Sequence, residues 1–203
     1  MTKTSKTAKK SRVPIWTSVV LVVAILAYSV SIRKGEPYKV VDIAGKGKGV
    51  VAVRDIEVGL CIDGLLICAH PTYQQGELII RELPLFTVPP QIETSPTELI
   101  SRNVRQLSPS DHEAFFNLSY VNFPSGLDPE THRDEVALAI FQTNAVTAGN
   151  SVGIFPRMAR LNHGCSSAFN VVYSWRDRER ALVVHALKAI KKGQVMPSFA
   201  FTQ

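Results

Sequence analysis

The sequence is poor in cysteine and has none in a pair. Cys61, Cys68 and Cys165 are odd in number and form no Cys-x-x-Cys, which excludes a disulfide framework and a zinc-finger ligand set. No metal site is therefore expected, and Cys165 reads as a small buried thiol. A basic surface on the body of the chain is also lacking. The formal net charge is +6, but of 23 basic residues five (Lys3, Lys6, Lys9, Lys10, Arg12) lie in the first twelve, leaving 18 against 17 acidic residues. A nucleic-acid partner needs a basic patch on the folded part, so none is expected. The glycine run Gly45-Lys46-Gly47-Lys48-Gly49 lacks phosphate-loop spacing and by itself reads as a turn. No internal repeat is present.

Residues 1–12 are rich in Lys, Ser and Thr and are expected to be a disordered tail. Residues 13–32 (VPIWTSVVLVVAILAYSVSI) contain no charge and show no polar face at helical spacing. Twenty residues at about 1.5 Å each match a bilayer core of about 30 Å. Trp16 and Tyr28 sit near the two ends, where aromatic rings favour the interface. The stretch predicts one transmembrane helix, a signal anchor, with a cleaved signal peptide as the alternative. The chain is then expected to be a single-pass membrane protein anchored near its N-terminus. The five preceding cations favour a cytoplasmic N-terminus, and the side of the membrane on which the body lies stays open.

After the span the pattern is chiefly β. Tyr38–Ile43 and Val50–Val53 read as short strands around the glycine run, and Glu77–Val88 as a strand-like stretch ending at Pro89-Pro90. Between Gly59 and Glu77 lies LCIDGLLICAHPTYQQG. Removing residues 60–76 joins Arg54-Asp55-Ile56-Glu57-Val58-Gly59 directly to Glu77-Leu78-Ile79-Ile80, a turn feeding a strand. The segment reads as a loop insertion or a retained intron, with an ordinary apolar strand or hairpin as the alternative. Residues 91–140 are a helical insert. Helix starts are predicted at Thr94–Glu98, at Ser108–Asp111 and near Asp128–Glu130, each combining a capping residue with an early proline or acid.

The segment Arg160-Leu161-Asn162-His163-Gly164-Cys165 sets an amide, an imidazole and a thiol side by side. Two β-like runs follow, Ala168–Trp175 and Ala181–Ala186, joined by the charged turn Arg176–Arg180. From residues alone this is a hairpin with a polar loop before it.

Taken together these pieces resemble the SET domain, in particular the split SET arrangement of SMYD-type and related fungal lysine methyltransferase-like proteins. Gly45–Gly49 with Val50–Ala52 resembles the first motif of that family. Thr143-Asn144-Ala145 and Gly153-Ile154-Phe155-Pro156 resemble the approach to the central motif, and Arg160–Cys165 resembles RxNHSC. Val184-His185-Ala186 through Ile190-Lys191-Lys192-Gly193 resembles the strand and turn before the final motif.

The resemblance implies a mainly β fold of the SET β-clip type with an α-helical insert, spanning residues 38–203 behind the transmembrane helix. It implies S-adenosylmethionine as cofactor and methyl transfer to a protein lysine, histone or other. Lys48 and Gly49 would present backbone groups to the cofactor. Asn162 and His163 would hold its amino-acid and adenine ends, and Asn144 is a further cofactor-binding candidate. His163 is expected to bind and not to act as a base. Tyr173 and Trp175 are candidates for the wall of the site or for hairpin packing.

The sequence departs from the family at two places. Gly164 and Ser167 stand where the familiar motif has Ser and Pro. After Gly193 the chain reads Gln194–Gln203 without the tyrosine that orients the substrate amine, and no Tyr follows Tyr173. Residues 195–203 are accordingly expected to be aberrant, as from reading into an intron at Val195. No catalytic residue is assigned, and impaired activity is expected. A non-catalytic, membrane-tethered binding module and an incomplete gene product are the alternatives.

Overall fold

The computed structural model describes residues 35–57, 76–91, 93–164 and 168–198. Residues 37–203 form one unit, to which the following applies. The tail 1–12, the predicted span 13–32, residues 60–75 of the suspected insertion, Cys165, Ser167 and residues 199–203 lie outside the described residues.

Among the described residues eight strands form three small antiparallel sheets. Strands β1 (Tyr38–Ile43) and β2 (Gly47–Ala52) make a hairpin, closed by the Lys46 N–H on the Ile43 carbonyl at 2.9 Å. The stretch expected as one strand over 77–88 is two. β3 (Leu78–Glu82) and β4 (Thr87–Val88) are separated at Pro84, which has no N–H to offer a ladder. β3 joins β8 (Ala181–Ala186) and β7 (Val171–Arg176) in the order β3-β8-β7. β4 joins β6 (Ser151–Gly153) and β5 (Val146–Ala148) in the order β4-β6-β5.

Directly opposed residues of an antiparallel pair share a face. Val171, Tyr173 and Trp175 oppose Ala186, Val184 and Leu182, and Ile80 and Glu82 oppose Val184 and Leu182. That shared face packs on the main core, which also takes Tyr38, Val50, Ala52, Ile56, Phe155, Met158, Leu161, Ile190 and Met196. One member of the inward row, Glu82, bears a carboxyl group.

Among the described residues three α-helices interrupt the strands. α1 (Pro96–Arg105) starts with Pro in its first turn, has Glu98 near its N-terminus and Arg102 and Arg105 in its last turn, in the sense the helix dipole favours. α2 (Pro109–Phe116) is capped by the Ser108 hydroxyl, which accepts the Asp111 N–H at 3.2 Å. α3 (Arg133–Asn144) begins a few residues later than the sequence suggested. Asp128 first closes a turn through its carbonyl, which accepts the N–H groups of Thr131 (3.2 Å) and His132 (3.0 Å). The helices bury Ile100, Val104, Phe115, Val136, Ala137 and Ile140 with Val88, Leu118 and Ile154 in a second core.

The mainly β fold with a helical insert stands, but the expected N-terminal transmembrane helix and the single-pass membrane localisation are corrected. Among the described residues no helix is long and apolar enough to cross a membrane. The longest, α3, has 12 residues and so spans only about 18 Å of the roughly 30 Å a bilayer core requires.

Candidate functional site

Three separate stretches of backbone converge at the Asn162 turn. Phe155 leads through Arg157 into a 3-10 turn, Met158–Arg160, whose Met158 carbonyl accepts the Leu161 N–H at 2.9 Å. Leu161 is buried in the main core, which anchors the chain immediately before Asn162. The Arg160 guanidinium donates to the Asn117 carbonyl at 2.8 Å, at the end of α2, and its partial burial lowers its pKa from the usual value.

The second stretch is Gly193–Ser198. Gly193 N–H donates to the Ala52 carbonyl (2.8 Å), Ala52 N–H to the Gln194 carbonyl (3.0 Å) and Met196 N–H to the Val50 carbonyl (2.9 Å), so this segment pairs antiparallel alongside β2. Ser198 N–H then donates to the Asn162 carbonyl at 2.8 Å, and Gly164 N–H to the Ser198 carbonyl at 2.9 Å. Pro197 lacks an N–H, and what the position uses is its carbonyl, which accepts the Asn170 N–H at 3.1 Å.

The third stretch is β2 itself. A Cβ built on Gly49 would collide with the Ile43 side chain and with the side-chain nitrogen of Asn162. Only glycine lets the Asn162 amide lie this close to the strand.

The main chain thus holds the turn and leaves the side chains of Asn162 and His163 unclaimed by it. Asn162 Nδ2 is buried and has no hydrogen-bond partner, and the His163 ring is exposed. Asn170, 4% exposed, donates through Nδ2 to the Val195 carbonyl at 3.0 Å, while its Oδ1 is buried without a partner. One orphan donor and one orphan acceptor therefore flank the Gly193–Ser198 segment. Buried polar atoms without partners are costly, and a ligand that completes them removes that cost.

The other candidates fall elsewhere. Lys48 is on β2 with its amine 3.5 Å from Asp42. Asn144 closes α3, where its amide nitrogen donates to the carbonyls of Ser119 (2.7 Å) and Ile140 (2.8 Å). Tyr173 and Trp175 pack on the main core. Trp175 meets Phe155 edge-on at 6.1 Å and donates to Asp177 at 2.8 Å, and burial pushes the Tyr173 phenol up. Among the described residues no group of three metal-ligating side chains occurs. Asn170 and Ser198 were not among the predicted site residues. The signal for Asn170 was its place closing the Cys165–Asn170 turn, and Ser198 had none.

The sequence matches no protein-family model. Over 160 residues it is 29% identical to the histone-lysine N-methyltransferase set5 of Schizosaccharomyces pombe; the match covers 78% of this chain and 40% of that protein. The structure of Rubisco LSMT bound to AdoMet has the same fold, with a TM-score of 0.52 and 13% identity over 92% of this chain and 53% of that one. This chain is a SET-domain protein. A further match of this SET-domain chain, to the Neurospora SET domain protein DIM-5, covers 86% of it and 56% of that chain at 16% identity; its TM-score of 0.39 is too low to add weight. The SET-domain chain spans about 40% of the length of set5, so the activity of that whole protein does not transfer with the match.

Proposed function

We propose that this SET domain binds S-adenosylmethionine at the Asn162 turn and serves transfer of its methyl group to the side-chain amine of a lysine in a protein, histone or other. The observation that carries the reading is the buried, unpartnered Asn162 Nδ2 held over Gly49. The residues fit such a cofactor. Asn162 has a donor for a carboxylate or ring acceptor, the missing Cβ at Gly49 lets that amide lie against β2, and the exposed His163 ring lies beside them. The likeness to set5 and the AdoMet-bound Rubisco LSMT neighbour point to the same cofactor.

When bound, the cofactor supplies a methyl group on a positively charged sulfur. The work left to the chain is alignment, because in-line displacement needs positioning more than an acid or base at the methyl. Asn162 would orient by its amide, and Lys48 and Gly49 by their backbone. The lysine must arrive neutral, and burial against apolar walls lowers its pKa by disfavouring the charged form. Asn144 is left out of this reading, because its amide nitrogen already holds two carbonyls.

Calorimetric titration of the full chain with S-adenosylmethionine tests the reading. One-site binding that weakens about tenfold or more in Asn162→Ala is expected. Absence of binding overturns it. Transfer of labelled methyl to histones or to a protein mixture then separates an enzyme from a module that only binds.

A further inference from the structure

β3 places Glu82 on the face that packs on the main core, opposite Leu182. A carboxylate there is costly unless its oxygens are occupied. They are: Oε1 accepts the Arg157 N–H at 2.8 Å and Oε2 the Met158 N–H at 2.9 Å, from a residue only 9% exposed. Arg157 and Met158 open the 3-10 turn, and the turn's own first residue provides no side-chain cap. A residue 75 positions earlier in the chain thus caps the turn. Two further ties fix the same turn. Arg157 Nε donates to the Tyr38 hydroxyl at 2.6 Å, and Arg160 reaches the Asn117 carbonyl. Glu82 holds the backbone N–H groups at the start, and four residues after Met158 comes Asn162.

We infer that Glu82 is a positioning residue for the cofactor turn: by capping Arg157 and Met158 from β3 it sets where Asn162 stands over Gly49. This rests on the proposed cofactor reading for its consequence, though not for its geometry. Glu82 touches neither cofactor nor substrate in this scheme and acts through the backbone of the 3-10 turn. Glutamine keeps one acceptor oxygen but turns an N–H toward a backbone N–H; alanine keeps neither bond.

The test uses the full chain with Glu82→Gln and Glu82→Ala, read by calorimetry with S-adenosylmethionine and by amide hydrogen exchange. Affinity is expected to fall about tenfold in Glu82→Gln and further in Glu82→Ala. Protection should be lost at Gly164 and Ser198, the amides that close the Asn162 turn, as well as at Met158. Lowered melting temperature with unchanged affinity and unchanged protection at Gly164 and Ser198 overturns the inference and leaves Glu82 as a core residue only. If the unsubstituted chain binds no S-adenosylmethionine, the proposed function fails and the exchange result alone decides on Glu82. If neither variant folds, exchange of the unsubstituted chain in mild denaturant decides. Met158 and Ser198 opening together supports the inference, and Ser198 opening on its own overturns it.

Discussion

The two cores of this domain are built in opposite ways. The helical core draws all its buried members from one continuous stretch, Val88 to Ile154. The strand core collects Tyr38 through Ile56, Ile79 and Ile80, Ala148 through Leu161, and Val171 through Met196, with the helical stretch interposed. Contacts close in sequence close short loops and form early; contacts between distant segments require long loops to close first. The Asn162 turn lies in the second kind of core, held by main-chain bonds from Ser198 and packed over Gly49. Site geometry should therefore follow the strand core and be largely indifferent to the helical one.

The largest effect should come from emptying each core in turn. Met196→Ala and Ile140→Ala both remove fully buried side chains, and each should cost about 2–5 kcal/mol in denaturant unfolding. Only Met196→Ala should also weaken S-adenosylmethionine binding under conditions where both variants remain folded. Equal losses of affinity would erase the distinction between the two regions. Gly49→Ala should show the reverse balance. Its added methyl meets the far ends of the Ile43 and Asn162 side chains, which can move, so stability should fall by about 1 kcal/mol while affinity drops about tenfold or more. Affinity unchanged in this variant would remove Asn162 from the site.

A smaller effect is expected from deleting residues 60–76. Glu77 N–H donates to the Glu57 carbonyl at 3.4 Å, and Arg54 pairs with the Glu77 carboxylate, its Nη1 to Oε2 at 3.0 Å. The shortened chain reads Glu57-Val58-Gly59-Glu77, in which that backbone bond becomes the closing bond of a four-residue turn with glycine third, a favoured arrangement. Gly59 would also take the place of Gly76, where a Cβ would run into the Ala186 carbonyl. The deleted chain should unfold within about 1 kcal/mol of the intact one. A loss of several times that would make the segment part of the core.

The smallest effect is a pH dependence with a definite sign. Burial raises the Glu82 pKa above the ordinary carboxylate value, against the opposing pull of the Arg157 and Met158 N–H groups and the Arg157 charge. The native state therefore binds this proton more tightly than the unfolded chain. The contribution of Glu82 to stability is greatest below its unfolded value and declines as pH rises through the raised native value. Relative to Glu82→Gln, the unsubstituted chain should lose stability over that rise, as measured by denaturation at a series of pH values. Asp55, lowered by the Lys192 N–H and by Lys191, has the opposite slope and is present in both proteins, so it cancels. A difference that grows with pH would contradict the assignment.

Much of the fold was legible residue by residue. Tyr38–Ile43 was readable as a strand from its composition, and Ser108-Pro109 announced a helix because cap and proline act within one turn. Asn162 was singled out as a candidate by its motif. Glu82 was not, because nothing in Leu-Ile-Ile-Arg-Glu says that its carboxylate meets backbone 75 residues away. Residues Gln194–Ser198 were also obscured. Pro197 argued against a strand, yet this segment contributes isolated bridges in which a proline carbonyl suffices.

What the sequence determined by itself were the local matters: strand and helix content, caps, the hairpin turns and the identity of the residues at the Asn162 turn. Each depends on preferences expressed within a few residues of chain. What only the tertiary structure decided was which of those residues meet. That Asn162 lies against Gly49, that Asn144 fastens a helix end and that Glu82 holds the turn all follow from long-range pairing. Such pairing depends on the whole core closing at once, and no short window of sequence contains it.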